Sequence, residues 1–172
     1  MSETLEQAWF RRARRIALVL VLIVGGLGLT FFAIANQSPK VTAKIGEVVV
    51  DRQLSFIVEE VECGLRVVET VTFTAEATGQ FCKVSVSVEN VGSEQEILWA
   101  DEQILFDTGG IQYEANESMV DESEEALTWM KRINVGQTFE AYFLFDVPKN
   151  VSPEKILLQA PLSAGVEVSL KK

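Results

Sequence analysis

The chain has 172 residues, room for one ordinary domain plus an appendage, and a formal net charge of −10 at pH 7. It has no histidine, which removes the usual general base near neutral pH, the commonest metal ligand and the Ser-His and Cys-His nucleophilic pairs. Nucleic acid is not an expected partner, because its phosphates demand a basic surface.

Charge is unevenly spread along the chain. Arg11, Arg12, Arg14 and Arg15 stand together near the start, and everything beyond residue 35 keeps 11 basic against 23 acidic side chains, a net of −12. Residues 16–35 read IALVLVLIVGGLGLTFFAIA, twenty residues without a charge. At about 1.5 Å per residue, such a helix spans the roughly 30 Å hydrocarbon core of a bilayer. Four arginines before the run and no base after it until Lys40 place residues 1–15 in the cytoplasm and the C-terminal bulk outside. Ala33-Ile34-Ala35 has the small-x-small pattern of a signal-peptidase site, with Ala33 and Ala35 as its small residues. The apolar run exceeds the roughly 7 to 15 residues of a signal-peptide core, so a signal anchor is the expectation, and a secreted chain cut after Ala35 the alternative.

Residues 36–45, with Ser38-Pro39, are polar and read as a linker to an extracytoplasmic domain over 46–172. There the hydrophobic period becomes two. Strands are expected over 54–62, at Val84, Val86 and Val88, and over 97–106 with an interruption near Ala100-Asp101. Further strands are expected over 111–114, at Phe139, Ala141, Phe143, Phe145 and Val147, over 156–159, and at Val166, Val168 and Leu170. In the Phe-rich strand, Glu140, Tyr142, Leu144 and Asp146 fall on the alternate face. Short strands punctuated by turn residues, with no convincing soluble helix, point to an all-β sandwich.

Cys63 and Cys82 are the only cysteines, and Cys82 is in phase with the inward valines. An oxidising compartment would let them pair, closing a loop of about 20 residues worth roughly 3 kcal/mol. Two buried unpaired thiols are the other reading. Phe106-Asp107-Thr108-Gly109-Gly110 contains the Asp-Thr-Gly triplet of aspartic proteases, but without the bracing segment those enzymes use, it reads as a turn between strands. Asp121, Glu122, Glu124 and Glu125 are the candidate calcium ligands, weighed against an ordinary solvated acidic loop, and no cofactor is expected. Asn116-Glu117-Ser118 and Asn150-Val151-Ser152 match the glycosylation acceptor pattern. Trp129 reads as a core or edge position rather than an exposed contact.

Several segments carry a family resemblance: Val61-Glu62-Cys63-Gly64, Gly79-Gln80-Phe81-Cys82-Lys83-Val84, Glu89-Asn90-Val91-Gly92 and 107–113. It continues through Val135-Gly136-Gln137, Phe145-Asp146-Val147-Pro148 and the closing 164–170. Together they resemble the immunoglobulin-like domains of unknown function on exported lipoproteins and single-pass membrane proteins of Gram-positive bacteria, similar in fold to the mycobacterial immunoprotective extracellular protein. The resemblance implies an antiparallel immunoglobulin-like β-sandwich after the transmembrane helix, and a disulfide between Cys63 and Cys82. This chain has Val135 where the family often has Pro, and its segment 65–78 is longer. The family brings no catalytic residues.

The expected function is a non-enzymatic, membrane-anchored extracytoplasmic module that touches the lipid bilayer through 16–35. It would bind a protein or cell-envelope component through loops or a sheet edge. The alternative is an accessory or assembly subunit of a membrane complex, docking through that helix. If residues 16–35 are an anchor, the mass of the chain purified from membranes should include residues 1–35. A mature chain beginning at Asn36 would overturn the anchor.

Overall fold

The computed structural model describes residues 41–69, 74–115, 119–121 and 126–171. Among these, every regular element is a strand, and no helix is long and apolar enough to cross a membrane. The expected transmembrane run 16–35, Arg11, Arg12, Arg14, Arg15, Ala33 and Ala35 all lie outside the described residues. In chain order the strands are β1 (Val41–Lys44), β2 (Val48–Asp51), β3 (Leu54–Glu69), β4 (Thr74–Asn90), β5 (Glu96–Trp99) and β6 (Ile104–Asp107). They continue with β7 (Gln112–Glu114), β8 (Met119–Asp121), β9 (Ala126–Thr128), β10 (Met130–Ile133), β11 (Thr138–Val147), β12 (Pro153–Leu158) and β13 (Val166–Ser169).

One sheet runs β1-β13-β12-β6-β7 and the other β2-β3-β4-β11-β8-β9, while β5 and β10 form a separate two-stranded ribbon. Pairing is antiparallel except for β1, which lies parallel to β13 with Val41 opposite Glu167. Val41–Lys44, expected as the end of the linker, is therefore an edge strand, completed by pairing with β13.

The core lies between the sheets. Along β4, Cys82, Val84, Val86 and Val88 face inward, and β11 sets Phe145, Phe143, Ala141 and Phe139 directly opposite them. Leu105, Ile156, Leu158 and Val168 close the core from the other sheet. Full burial of each large apolar side chain is worth roughly 1.5 to 3 kcal/mol, so this double stripe is the main stabilising layer. The interrupted segment around Ala100 resolves as expected into two strands, which belong to different sheets.

The hairpin formed by β3 and β4 is longer than the sequence pattern indicated. The strand expected to end at residue 62 runs to Glu69, with register shifts at Val58/Glu60 and Cys63/Leu65 and a third between Leu65 and Val67. Its distal part packs Leu65, Val68 and Ala75 against Ala77, Phe81, Tyr142 and Leu144 on the outer face of the sheet. That is why Tyr142 and Leu144, on the alternate face of β11, are buried. The third register shift opens β4 around Thr78-Gly79, and Asp146 fills the gap by accepting the Thr78 N–H (2.7 Å) and the Gly79 N–H (3.0 Å). Gly79 is required there, because a Cβ would stand 2.2 Å from the Val147 carbonyl oxygen.

Cys63 and Cys82 form a disulfide between directly paired positions of β3 and β4, with Cα atoms 4.0 Å apart. The Cys82 side is buried in the core and the Cys63 side is exposed. Gly64, which follows it at φ 93°, supplies the left-handed residue that the bulge requires.

Replacing both cysteines by serine should lower unfolding free energy by about 3 kcal/mol in urea titrations, for a bridge spanning 19 positions. An unchanged midpoint would show that the hairpin register holds without the bridge. Asp146 offers a second test. Burial pushes its carboxyl up, but the Gly79 and Thr78 donors outweigh that and hold it below its ordinary value of 3.8. A depressed folded pKa stabilises above the unfolded pKa and loses that contribution as pH falls through the folded value, here below about pH 4. Asp146→Asn should therefore show a flatter stability profile than the native chain between neutral pH and this acid range. Parallel profiles would mean that Asp146 is not among the groups that titrate on unfolding.

Candidate functional site

The residues singled out by sequence take up varied positions. Asp107 ends β6 as the cap of a tight turn: its Oδ1 accepts the Gly109 N–H (2.8 Å) and the Ile111 N–H (2.9 Å), and its Oδ2 the Tyr113 hydroxyl (3.1 Å). The Ile111 donor, against the cost of burial and with help from Tyr113, Gly109 and Gly110, holds this carboxyl below its ordinary range. The Tyr113 hydroxyl is pushed up by burial and by Asp107. Both carboxylate oxygens are thus engaged by their own turn, which accords with the turn reading of Asp-Thr-Gly-Gly.

Of the acidic loop, Asp121 ends β8, while Glu122, Glu124 and Glu125 lie outside the described residues, as does Asn116-Glu117-Ser118. Among the described residues no group of three or more Cys, Asp or Glu is placed to hold a metal ion. Trp129, expected at a core or edge position rather than as an exposed contact, is 59% exposed. It falls just before the β5/β10 ribbon and rests on Trp99, with ring centroids 5.2 Å apart. A two-stranded ribbon offers less burial than a full sheet, and so leaves it in solvent.

The most developed surface is one that no motif announced, at one end of the sandwich. Four connections meet there: the β2–β3 turn, the loop after β4, the turn before β11 and residues 159–165 between β12 and β13. Buried polar side chains tie them together, each satisfying backbone groups that loops would otherwise leave open. Asn90 donates to the carbonyls of Glu94 (2.7 Å) and Ile133 (2.9 Å) and accepts the Gly92 N–H (2.9 Å). Its carbonyl also receives the Gly136 N–H (2.8 Å). The Gln53 amide oxygen accepts from Ser93 (2.9 Å) and Glu94 (3.3 Å), its amide nitrogen donates to Glu96, and its carbonyl receives the Val91 N–H (2.9 Å).

On the other side of the Arg52-Gln53 turn, Asp51 accepts the Ala160 N–H (2.7 Å) and the Ser163 hydroxyl. Gln103, fully buried, grips Gln159 from behind: it donates to that carbonyl (3.2 Å) and accepts that N–H (2.9 Å). Arg52 Nη1 donates to the carbonyls of Pro161 (3.4 Å) and Leu162 (3.1 Å). Arg52 (φ 55°) and Leu162 (φ 58°) are the two non-glycine residues with positive φ among the described residues, and they touch. A left-handed conformation at a bulky residue is costly and persists only where surroundings fix it.

What this scaffold presents is apolar. Leu162 is 95% exposed, Val135 56% and Val91 50%. The hydrogen bonds run without a break from Leu162 through Arg52 and Gln53 to Val91, and through Asn90 to the Val135-Gly136 turn, so the three side chains crown one connected rim. Glu94 and Glu96 border it on one side and Asp101-Glu102 on the other, where burial and then Asp101 push the Glu102 carboxyl up. Sequence reading missed Asp51, Arg52 and Leu162 because their roles come from contacts across 109 to 112 positions. The one local signal was an apolar Leu within the turn-forming run Ala160-Pro161-Leu162-Ser163-Ala164-Gly165.

The sandwich has recognisable structural relatives. An uncharacterised β-sandwich protein from Clostridium difficile 630 superposes with a TM-score of 0.55 at 14% identity, over 78% of this chain and 97% of that one. The yjhA protein of Bacillus subtilis gives 0.54 at 14% identity, over 76% and 100%. The secreted protein MPT63 of Mycobacterium tuberculosis gives 0.52 at 14% identity, over 76% and 97%. At such identity these likenesses establish the shared fold. No curated protein matches the chain. The family model described as "Domain of unknown function (DUF4352)" matches residues 43–168, and the chain belongs to that family.

Proposed function

We propose that this protein is a membrane-anchored, extracytoplasmic and non-enzymatic β-sandwich module that binds a protein or cell-envelope component through the rim of Val91, Val135 and Leu162. One observation carries the reading: four loops locked by Asp51, Gln53, Asn90 and Gln103 present exposed apolar side chains, one of them in a strained conformation. Contact surfaces are enriched where apolar groups stand on a pre-organised support, because little ordering entropy remains to be lost on binding. The secreted relative and the sequence of 16–35 support display outside the cytoplasm. The lack of histidine and the full engagement of Asp107 support a role without catalysis.

Photo-reactive residues placed at 91, 135 and 162 of the full chain on intact cells test it. All three should label the same cell component, whereas position 111, exposed at the opposite end, should not. Asp51→Ala, which leaves the Ala160 N–H and the Ser163 hydroxyl without their acceptor, should cost about 1 to 3 kcal/mol and reduce labelling from 162. Equal labelling from all four positions would sink the assignment of this rim.

A further inference from the structure

We infer that the occupant of this rim is a protein segment that carries an arginine: its apolar side chains cover Leu162, Val91 and Val135, and its guanidinium pairs with Glu102 beside the Trp99 and Trp129 rings. This deepens the proposed function and rests on that reading of the rim.

The turn 100–103 supplies the first argument. The Gln103 N–H donates to the Ala100 carbonyl (3.3 Å), which leaves Asp101 and Glu102 at the corners. The turn is tied to the rim, because the Glu102 carbonyl accepts from the Gln159 side-chain amide (2.6 Å) while Gln103 holds the Gln159 backbone, at the start of the loop that carries Leu162. Glu102 Oε2 is buried and, among the described residues, it is the one buried side-chain oxygen or nitrogen with no hydrogen-bond partner. An unpaired buried carboxylate oxygen costs free energy that a charged donor recovers. Burial, and then Asp101, push this carboxyl up, the direction taken where no cation offsets the charge.

The second argument is complementarity. Glu94, Glu96, Asp101 and Glu102 border the apolar crest, and 99–103 contains two acids and no base. Asp51 and Glu96 already have donors, in Ala160, Ser163 and Gln53. Arg52, the cation of the rim, turns Nη1 to the carbonyls of Pro161 and Leu162. The same turn also fixes two aromatic rings. Gln103 Nε2 donates to the Trp99 carbonyl (2.8 Å) and the Ala100 N–H to the Trp129 carbonyl (3.0 Å), and the indoles stand 5.2 Å apart at 50°. A guanidinium can stack on an indole while its N–H fork meets a carboxylate, which a compact ammonium does less well. Apolar crest, indole and carboxylate together are the chemistry of a protein contact, where Trp and Arg carry much of the binding energy. A neutral glycan offers hydroxyls but no counter-charge, and anionic lipid is repelled by the acids.

The test titrates full-length protein carrying 5-fluorotryptophan with an amide-capped Leu-Arg-Leu peptide, or the same peptide with citrulline for arginine, followed by fluorine NMR. Trp99→Phe and Trp129→Phe assign the signals. The Trp129 signal should shift saturably with the arginine peptide, and citrulline should weaken binding severalfold. Glu102→Gln should weaken the arginine peptide severalfold with the thermal midpoint unchanged or higher, since it removes an unpaired buried charge. A lowered midpoint would make the carboxylate a structural group and overturn the inference. Leu162→Asn, which tolerates the left-handed backbone, should weaken both peptides. Equal affinity for the two peptides, lost in Leu162→Asn, would overturn the arginine pairing and leave the rim standing. Arginine-dependent binding that ignores Leu162→Asn would overturn the rim as its seat. No shift with either peptide would overturn the inference, as would labelling of lipid or glycan instead of protein from position 162 on cells.

Discussion

The pairing of β4 with β11 is the constraint on which the rest of the sandwich depends. Ten consecutive residue pairs, from Thr138 opposite Glu89 to Val147 opposite Gln80, fix a register that turns one apolar stripe from each strand into the core. A slip of one residue would turn Val84, Val86 and Val88 to solvent together with their aromatic partners. Because that register is set along its full length, both of its ends become fixed points. At one, Asn90 closes onto Gly136 and Gly92; at the other, Asp146 closes onto Thr78 and Gly79. The other strands of that sheet and the loop clusters are positioned from these two ends.

Legibility in the sequence followed the range of the forces involved. The period-two runs of β4, β11 and β13 could be read because alternate residues in a half-buried strand report directly on which face meets the core. The pairing of Cys63 with Cys82 was implied by family resemblance, and the structure places them opposite each other across two strands. Tyr142 and Leu144 could not be read correctly, since their burial comes from a hairpin tip that folds over from residues 65–77. β1 was taken for linker because a four-residue strand acquires its identity from its neighbour. Trp129 was expected at a core or edge position, and the ribbon beside which it packs on Trp99 leaves it largely in solvent. The loop rim was invisible for a related reason: aspartate, glutamine and asparagine have no periodicity, and their partners lie up to 112 positions away.

Loops normally trade order for variability, and the rim of this sandwich departs from that because the buried amides beneath it are saturated. Asn90 and Gln103 are wholly buried, yet each has both donors and its acceptor engaged. In a low-dielectric setting, such bonds are stronger than in water, and an unmade one is correspondingly expensive. The network is therefore close to all-or-none: loosening residues 159–165 would strand Asp51, Arg52 and Gln103 at once. That cooperativity lets a chain with bulky residues at positive φ keep them there. It also bears on Val135, at whose position the resemblance drawn from the sequence implies a frequent Pro. The Gln137 N–H to Asn134 carbonyl bond and the left-handed Gly136 already define the turn, and pre-set proline geometry adds little.

Charge is unevenly placed over the sandwich, and this bears on what its loop end can contact. The turns at the end where β1 begins are built mainly from Asn, Gln, Gly, Ser, Pro and apolar residues, with Arg52 as the cation of the rim and Glu94 and the Asp101-Glu102 pair as its acids. Other glutamates stand along strands: Glu59, Glu60 and Glu140 line a groove of about 440 Å³ farther along the sheet, beside Lys83 and Ile45. A net charge of −12 beyond residue 35 repels neighbouring anionic surfaces, so contact of the rim with such a surface depends on its apolar side chains rather than on charge.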